Sequence, residues 1–289
     1  MGAEPAKPAV SVIVPTIGRP AQLEPCLASL AECEPRPDEV LVVDQSGAEE
    51  IKALVARFAG AGARYVYCTG RGKNLGLNGG LREAAHETVL FTDDDCTVAP
   101  SWVGVAVERL GRDHATILTG RVLAPHGSGH VPSTIDDPMP REYVGVARVD
   151  ALYGGNMACR RSAVLGIGAF DEQLTTSAGD NDLGYRWLRA GGRITYEPEL
   201  VVWHHDWRTP EQLERVYTRY GRGQGACYAK HLRRGDLGIL RFLLRDLLYV
   251  VRAQLTAFRQ GGTRPDAWAL GIVRGMPLGF VEGWRAAKR

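Results

Sequence analysis

A chain of 289 residues is long enough to bury a substantial core, as one large domain or as one domain with an appendage. Its 35 basic and 33 acidic residues leave a net charge of only +2, which excludes the dominant positive field of a general nucleic-acid binder. A hydrophobic share of 45% with 24% charged residues excludes wholesale disorder.

Six cysteines (Cys26, Cys33, Cys68, Cys96, Cys159 and Cys227) are scattered with no C-x-x-C pair, the usage of reduced thiols in a cytosolic protein. The N-terminus "MGAEPAKPAV" has no apolar signal core, and no apolar run reaches the roughly 18 residues of a membrane span. The expectation is a cytoplasmic protein that meets a membrane, if at all, peripherally at its inner face.

In chain order, "VSVIVP" (10–15), "EVLVVD" (39–44), "RYVY" (64–67) and "TVLFTD" (88–93) have the continuous apolar character of strands covered on both faces. Between them "PAQLEPCLASLAEC" (20–33), "AEEIKALVARFAG" (48–60) and "NGGLREAAHE" (78–87) carry helix-period leucines and alanines. This alternation predicts right-handed βαβ crossovers and an α/β fold with a mostly parallel central sheet flanked by helices. "ATILTGRV" (115–122) reads as a further strand, and the Gly/Pro/His-rich segment 123–140 is long enough to be a mobile substrate-facing loop. A helix opens at "GDNDLGYRWLRAGG" (179–192), strands follow at "RITY" (193–196) and "LVVWHH" (200–205), and a helical tail runs from about 210 to 287.

Parallel sheets gather ligands beyond the carboxyl ends of their strands, where Pro15, Thr16, Asp44 and the triplet Asp93, Asp94 and Asp95 all fall. Three adjacent carboxylates repel one another and call for a positive partner. Asp93-x-Asp95 offers hard oxygen ligands for Mg²⁺ or Mn²⁺ shared with phosphates, or else forms a solvated turn that caps the next helix. His204 and His205, at another strand end, offer an imidazole to the same metal or are merely exposed; along an extended strand only one of them faces inward. Asp180 and Asp182 open a helix, where capping alone accounts for either and where the N-terminus favours an ionised base; Asp182 and Arg186 also have i,i+4 spacing. "TGRGKNLGLNGG" (69–80) matches no phosphate-loop spacing; its glycines read as a tight turn, with Arg71 and Lys73 reaching a diphosphate or solvated.

The ordered set "VSVIVPTIGRP", "VVDQSG", Asn78-x-Gly80, "FTDDDC", "GGNMACRRSAVLGIGAFDE", "GDNDLGYRWLRAG" and "VVWHH" resembles the inverting family 2 glycosyltransferases of GT-A fold, over residues 9–225. The resemblance implies a nucleotide-sugar-binding domain at 1–230 with a helical extension at 231–289. It implies a nucleotide-sugar donor (UDP-sugar favoured over dTDP- or GDP-sugar), Mn²⁺ or Mg²⁺, and displacement onto an acceptor hydroxyl of a glycan, lipid-linked or small molecule. Position by position, it assigns Pro15, Thr16 and Asp44 to the nucleobase and Arg71 or Lys73 to the diphosphate. Asp93, Asp94 and Asp95 serve ribose, metal and phosphates, with His204 or His205 near the metal. Gly154, Gly155 and Asn156 border sugar and acceptor, and Asp180 is the base. Three features depart from the family pattern: Gly179 replaces the Glu that often precedes the base, Gln45 follows Asp44, and the adjacent His204 and His205 leave the metal-proximal histidine unassigned.

Two rival classes share part of this pattern. A sugar-phosphate nucleotidyltransferase also sets a metal against a diphosphate but releases pyrophosphate, and a carbohydrate-binding module is catalytically silent. In the tail, Arg241, Arg245, Arg252 and Arg259 fall within about 40° of one another beside a wide apolar face, which fits an anionic membrane surface or packing onto the catalytic domain. Gly271, Gly275, Gly279 and Gly283 form a small-residue stripe that predicts a close helix partner, in a hairpin or a homodimer, with Pro277 expected to kink it.

Overall fold

A computed structural model of the chain describes residues 9–113, 115–125, 131, 133–145, 147–205, 208–262 and 266–286. The chain divides into two compact units, residues 1–71, 75–170 and 183–206 in one and 72–74, 171–182 and 207–289 in the other.

The strands all belong to the first unit: β1 (Val10–Thr16), β2 (Glu39–Asp44), β3 (Ala63–Tyr67), β4 (Thr88–Thr92), β5 (Cys96–Val98), β6 (Thr116–Leu123), β7 (Arg141–Tyr143), β8 (Asn156–Arg160) and β9 (Arg193–His204). Its helices are α1 (Pro20–Ala31), α2 (Glu49–Arg57), most of α3 (Lys73–Glu83), α4 (Trp102–Arg112), α5 (Arg161–Gly166) and the later turns of α6 (Gly179–Arg189). The sheet order is β3-β2-β1-β4-β8-β6-β9-β5, with β7 on β9. Strands β3, β2, β1 and β4 are parallel, as the sequence alternation predicts, whereas β8 enters antiparallel between β4 and β6.

Period-2 geometry explains the continuous apolar strands. Val10, Val12 and Val14 of β1 face one core with Leu23 and Leu27 of α1 and Trp102 of α4. Ile13 faces the other, with Leu77 and Leu81 of α3 and Phe91 of β4. The two segments expected as separate strands at 193–196 and 200–205 run as one twelve-residue strand, β9. Its register against β6 shifts between Gly120 and Arg121, and a Cβ on Gly120 would lie 2.0 Å from the Leu200 carbonyl oxygen. The bulge thus absorbs the interruption that reads as a break.

Helix α3 starts at Lys73, five residues before its predicted start, so the glycine-rich segment is mostly helix rather than turn. Gly70 and Gly72, at φ +102° and +134°, make the turn that precedes it. Gly80 serves packing instead: a Cβ there would stand 2.4 Å from Ile13 Cγ2, so the missing side chain lets α3 lie close on β1. Part of the predicted loop 123–140, namely 126–130 and 132, lies outside the described residues; Ile135 pairs with Val122 of β6.

The second unit contains α7 (Pro210–Arg233), α8 (Leu240–Arg259), α9 (Ala267–Ala286) and the first turn of α6. The glycine stripe of α9 meets α7 of the same chain. A Cβ on Gly275 would stand 2.0 Å from the Thr218 carbonyl oxygen and one on Gly279 1.7 Å from that of Arg222. Backbone-to-backbone approach of this kind is open only to glycine, and α9 carries Pro277 within its span.

None of the six cysteines is joined in a disulfide, and all are buried. Burial, reinforced by Asp94 and its neighbours, pushes the Cys26 thiol well up; burial raises Cys33 to about 11 and Cys159 further. Because the thiolate is the reactive form, Ellman's reagent at pH 8 is expected to leave the native protein almost unlabelled and to titrate all six thiols after denaturation in guanidinium. Rapid labelling of a native thiol would contradict this packing.

Candidate active site

Parallel pairing aligns Thr16 of β1 with Asp44 of β2, and β4 delivers Asp93, Asp94 and Asp95 directly after Thr92 on the other side of β1. The positive partner of the triplet is Arg19, three residues past the end of β1. Its Nε donates to Asp94 Oδ2 at 3.0 Å and its Nη2 to Asp94 Oδ1, while Nη1 lies 3.4 Å from Asp95 Oδ2. Thr16 Oγ1 donates to Asp94 Oδ2 at 2.6 Å.

Asp94 is fully buried. Burial raises its pKa to about 6 against the pull of Arg19 and Thr16, with Asp95 and Asp93 adding to the rise. Burial also works against the Arg19 cation, but the surrounding carboxylates outweigh it and its pKa rises. The middle carboxylate is therefore the anchor of the pair. Three adjacent carboxylates thus share the Arg19 guanidinium.

Ligand atoms of Asp93, Asp95 and Cys96 lie within 4.8 Å of one another. His204 Nε2 stands 3.6 Å from Asp95 Oδ1, because antiparallel pairing of β5 and β9 sets Cys96 opposite His204. His205 turns the other way, its Nε2 2.9 Å from Thr97 Oγ1, and burial followed by the neighbouring His204 lowers its pKa. Strand alternation thus selects His204 as the histidine beside the acidic triplet. Gly155 makes room for Asp93: a Cβ there would lie 2.7 Å from Asp93 Oδ2. Carboxylate and imidazole donors around this cradle suit a hard divalent cation.

The remaining predicted residues divide between inward and outward positions. Asp44 is fully buried. Its oxygens accept from Ser46 N and Oγ, Gly47 N and Tyr65 Oη at 2.7 to 3.0 Å, so the carboxylate holds the turn after β2. Pro15 is buried, and a Cβ on Gly76 would touch it at 3.4 Å. Asn156 donates to the Arg121 and Leu200 carbonyls, both at 2.8 Å, and accepts from Trp102 Nε1 at 2.9 Å, tying β8 to its neighbours next to Gly154 and Gly155. Arg71 and Lys73 are exposed, with Lys73 as the first residue of α3, where helix N–H groups favour anions.

In the second unit, Asp180 and Asp182 have different surroundings. Asp182 is fully buried, its Oδ1 2.6 Å from Lys230 Nζ and 2.9 Å from His231 Nε2. Asp180 is half-buried, with Oδ1 accepting from Asn181 N at 2.9 Å. Gly179, standing where a Glu is common, has a local cause: a Cβ there would lie 2.0 Å from Asn74 Oδ1. Asn74 is itself fixed by donating to the Asp171 and Leu174 carbonyls at 2.8 and 3.1 Å.

Sequence reasoning missed Arg19, Tyr65 and Asn74. The signal for Arg19 was a lone cation in "PTIGRP", close after a strand end that a parallel sheet sets beside the triplet.

Residues 8–226 match the sequence profile of Glycosyltransferase like family 2. The chain belongs to that family. Among curated relatives, a pre-mycofactocin glycosyltransferase of Mycobacterium tuberculosis is 26% identical over 221 residues, 69% of this chain and 43% of the relative. The GalNAc(5)-diNAcBac-PP-undecaprenol beta-1,3-glucosyltransferase of Campylobacter jejuni is 26% identical over 125 residues, 42% of this chain and 40% of that protein. The chain thus spans less than half the length of these relatives. The family fold is also that of solved structures. The Pyrobaculum calidifontis mannosyltransferase PcManGT, in complex with GDP-Man and Mn²⁺, aligns with TM-score 0.64 at 21% identity over 96% of this chain and 86% of its own. The S. aureus TarS 1-349 structure with UDP aligns with TM-score 0.59 at 21% identity, covering 78% and 71%. The fold of this family 2 member is therefore GT-A, with a helical C-terminal region.

Proposed function

We propose that this family 2 protein moves a sugar from a nucleoside-diphosphate sugar to an acceptor hydroxyl, with inversion at the anomeric carbon. The observation that carries the reading is the meeting of Asp93, Asp95 and His204 beside a glycine cradle, with Arg19 bound chiefly to Asp94 and its Nη1 at 3.4 Å from Asp95. Asp93, Asp95 and His204 hold Mn²⁺ or Mg²⁺, which when bound neutralises charge growing on the departing nucleoside diphosphate. Arg71 and Lys73 add cationic contacts to the diphosphate. Pro15, Thr16 and the turn fixed by Asp44 border the base, and Gly154 and Gly155, held by Asn156, border the sugar. Asp180 accepts the proton of the acceptor hydroxyl.

UDP is the favoured nucleotide; solved neighbours carry UDP and GDP-Man, which keeps GDP in the screen beside dTDP. A lipid-linked acceptor has support from the Campylobacter relative, a GalNAc(5)-diNAcBac-PP-undecaprenol beta-1,3-glucosyltransferase. The test is calorimetric titration with UDP, GDP and dTDP, with and without Mn²⁺. One nucleotide is expected to bind at least about tenfold tighter with Mn²⁺, and Asp95→Ala to abolish that gain, in line with the sensitivity of metal sites to lost ligand shells. Nucleotide affinity indifferent to both metals would overturn the reading.

A further inference from the structure

Helix α8 is held to its unit by one face and leaves the opposite face uncovered. On the held side Phe242 and Asp246 are buried, and Asp246 Oδ2 accepts from Tyr228 Oη at 2.6 Å. On the other side Leu244, Leu247, Leu248, Val251, Leu255 and Phe258 are 47% to 75% exposed. At about 100° per residue these six occupy an arc of about 100°, a continuous stripe along a helix of twenty residues. Arg241, Arg245, Arg252 and Arg259, all exposed, line one border of that stripe within about 40°. The helix has a single acidic residue, Asp246, and it is the buried one.

We infer that this face docks on an anionic lipid bilayer, with α8 lying in the interface plane. The charge pattern selects this occupant. An apolar stripe with an arginine border and no exposed acid matches acyl chains beneath negative headgroups. A second copy pairing antiparallel through the same face would bring the two arginine borders together, and the one acid of each helix, Asp246, is buried and already paired with Arg245 at 3.1 Å. Crossing the membrane is not the mode, since no helix among the described residues is long and apolar enough to span one. The inference is independent of the transfer reaction.

Flotation of the full-length protein with phosphatidylcholine vesicles, with and without phosphatidylglycerol, tests it. Wild type is expected to float with the anionic vesicles, less at high salt, and to stay unbound with neutral ones. Arg252→Gln with Arg259→Gln is expected to weaken binding roughly 25-fold, at about fivefold per basic residue near an anionic surface. Leu248→Glu with Leu255→Glu is expected to abolish flotation while leaving the melting temperature unchanged, since both side chains are exposed. The inference fails if wild type ignores lipid composition, or if the glutamate variant floats like wild type. It also fails if light scattering shows a dimer that the glutamate pair dissolves, which would make a second copy the occupant.

Discussion

Asparagine in place of Asp180 is expected to cut kcat by about 10² to 10⁴, the range that positioned proton transfer contributes, while nucleotide affinity stays within about twofold. The reasoning turns on what the side chain loses. Asn keeps the size and can still accept a hydrogen bond from Asn181 N, so the helix start survives, but an amide cannot take a proton from an alcohol. The matching change at Asp182 has a different expected signature. That carboxylate is sealed against Lys230 and His231, so its neutralisation breaks a buried charge network, leaving Lys230 with Asp171 Oδ2 at 2.7 Å, and lowers stability. Steady-state kinetics and a thermal melt on both variants separate the two roles. Near-normal turnover in Asp180→Asn would remove this residue from the chemistry.

How far the sequence carries the argument depends on whether a feature is local or long-range. The ends of β1, β2 and β4 were legible because buried parallel strands write themselves as apolar runs, and the residues after such runs must lie along one sheet edge. The choice between His204 and His205 required knowing that β5 pairs with β9. The glycine-rich stretch misled at residues 73–77, where local rules read a turn and the helix has already begun. Gly80, further along, lets that helix approach Ile13, which is a tertiary demand overriding a local preference. The same holds for Asn156, whose amide is spent on carbonyls from β6 and β9 that lie 35 and 44 positions away in the chain. Gly179 is another case, since its reason is a side chain about a hundred residues earlier.

Arg19 gives the second large expected effect, on stability rather than rate. Replacing it with Met keeps the aliphatic stem but leaves Asp94 buried beside Asp93 and Asp95 with no guanidinium. Breaking a buried ion pair by removing one partner costs about 3 to 5 kcal/mol. Arg19 itself is 26% exposed while Asp94 is fully enclosed, which argues for the lower end, about 3 kcal/mol. At roughly 2 to 4 °C per kcal/mol for a chain of this size, the melting temperature should fall by roughly 6 to 12 °C. Adding Asp94→Asn to the Met variant removes the stranded charge and is expected to recover more than half of that loss. The recovery separates uncompensated charge from lost packing, because the second change restores no methylene contacts. An Arg19→Met protein that melts within about 2 °C of wild type would mean that the triplet is neutralised by something other than this guanidinium.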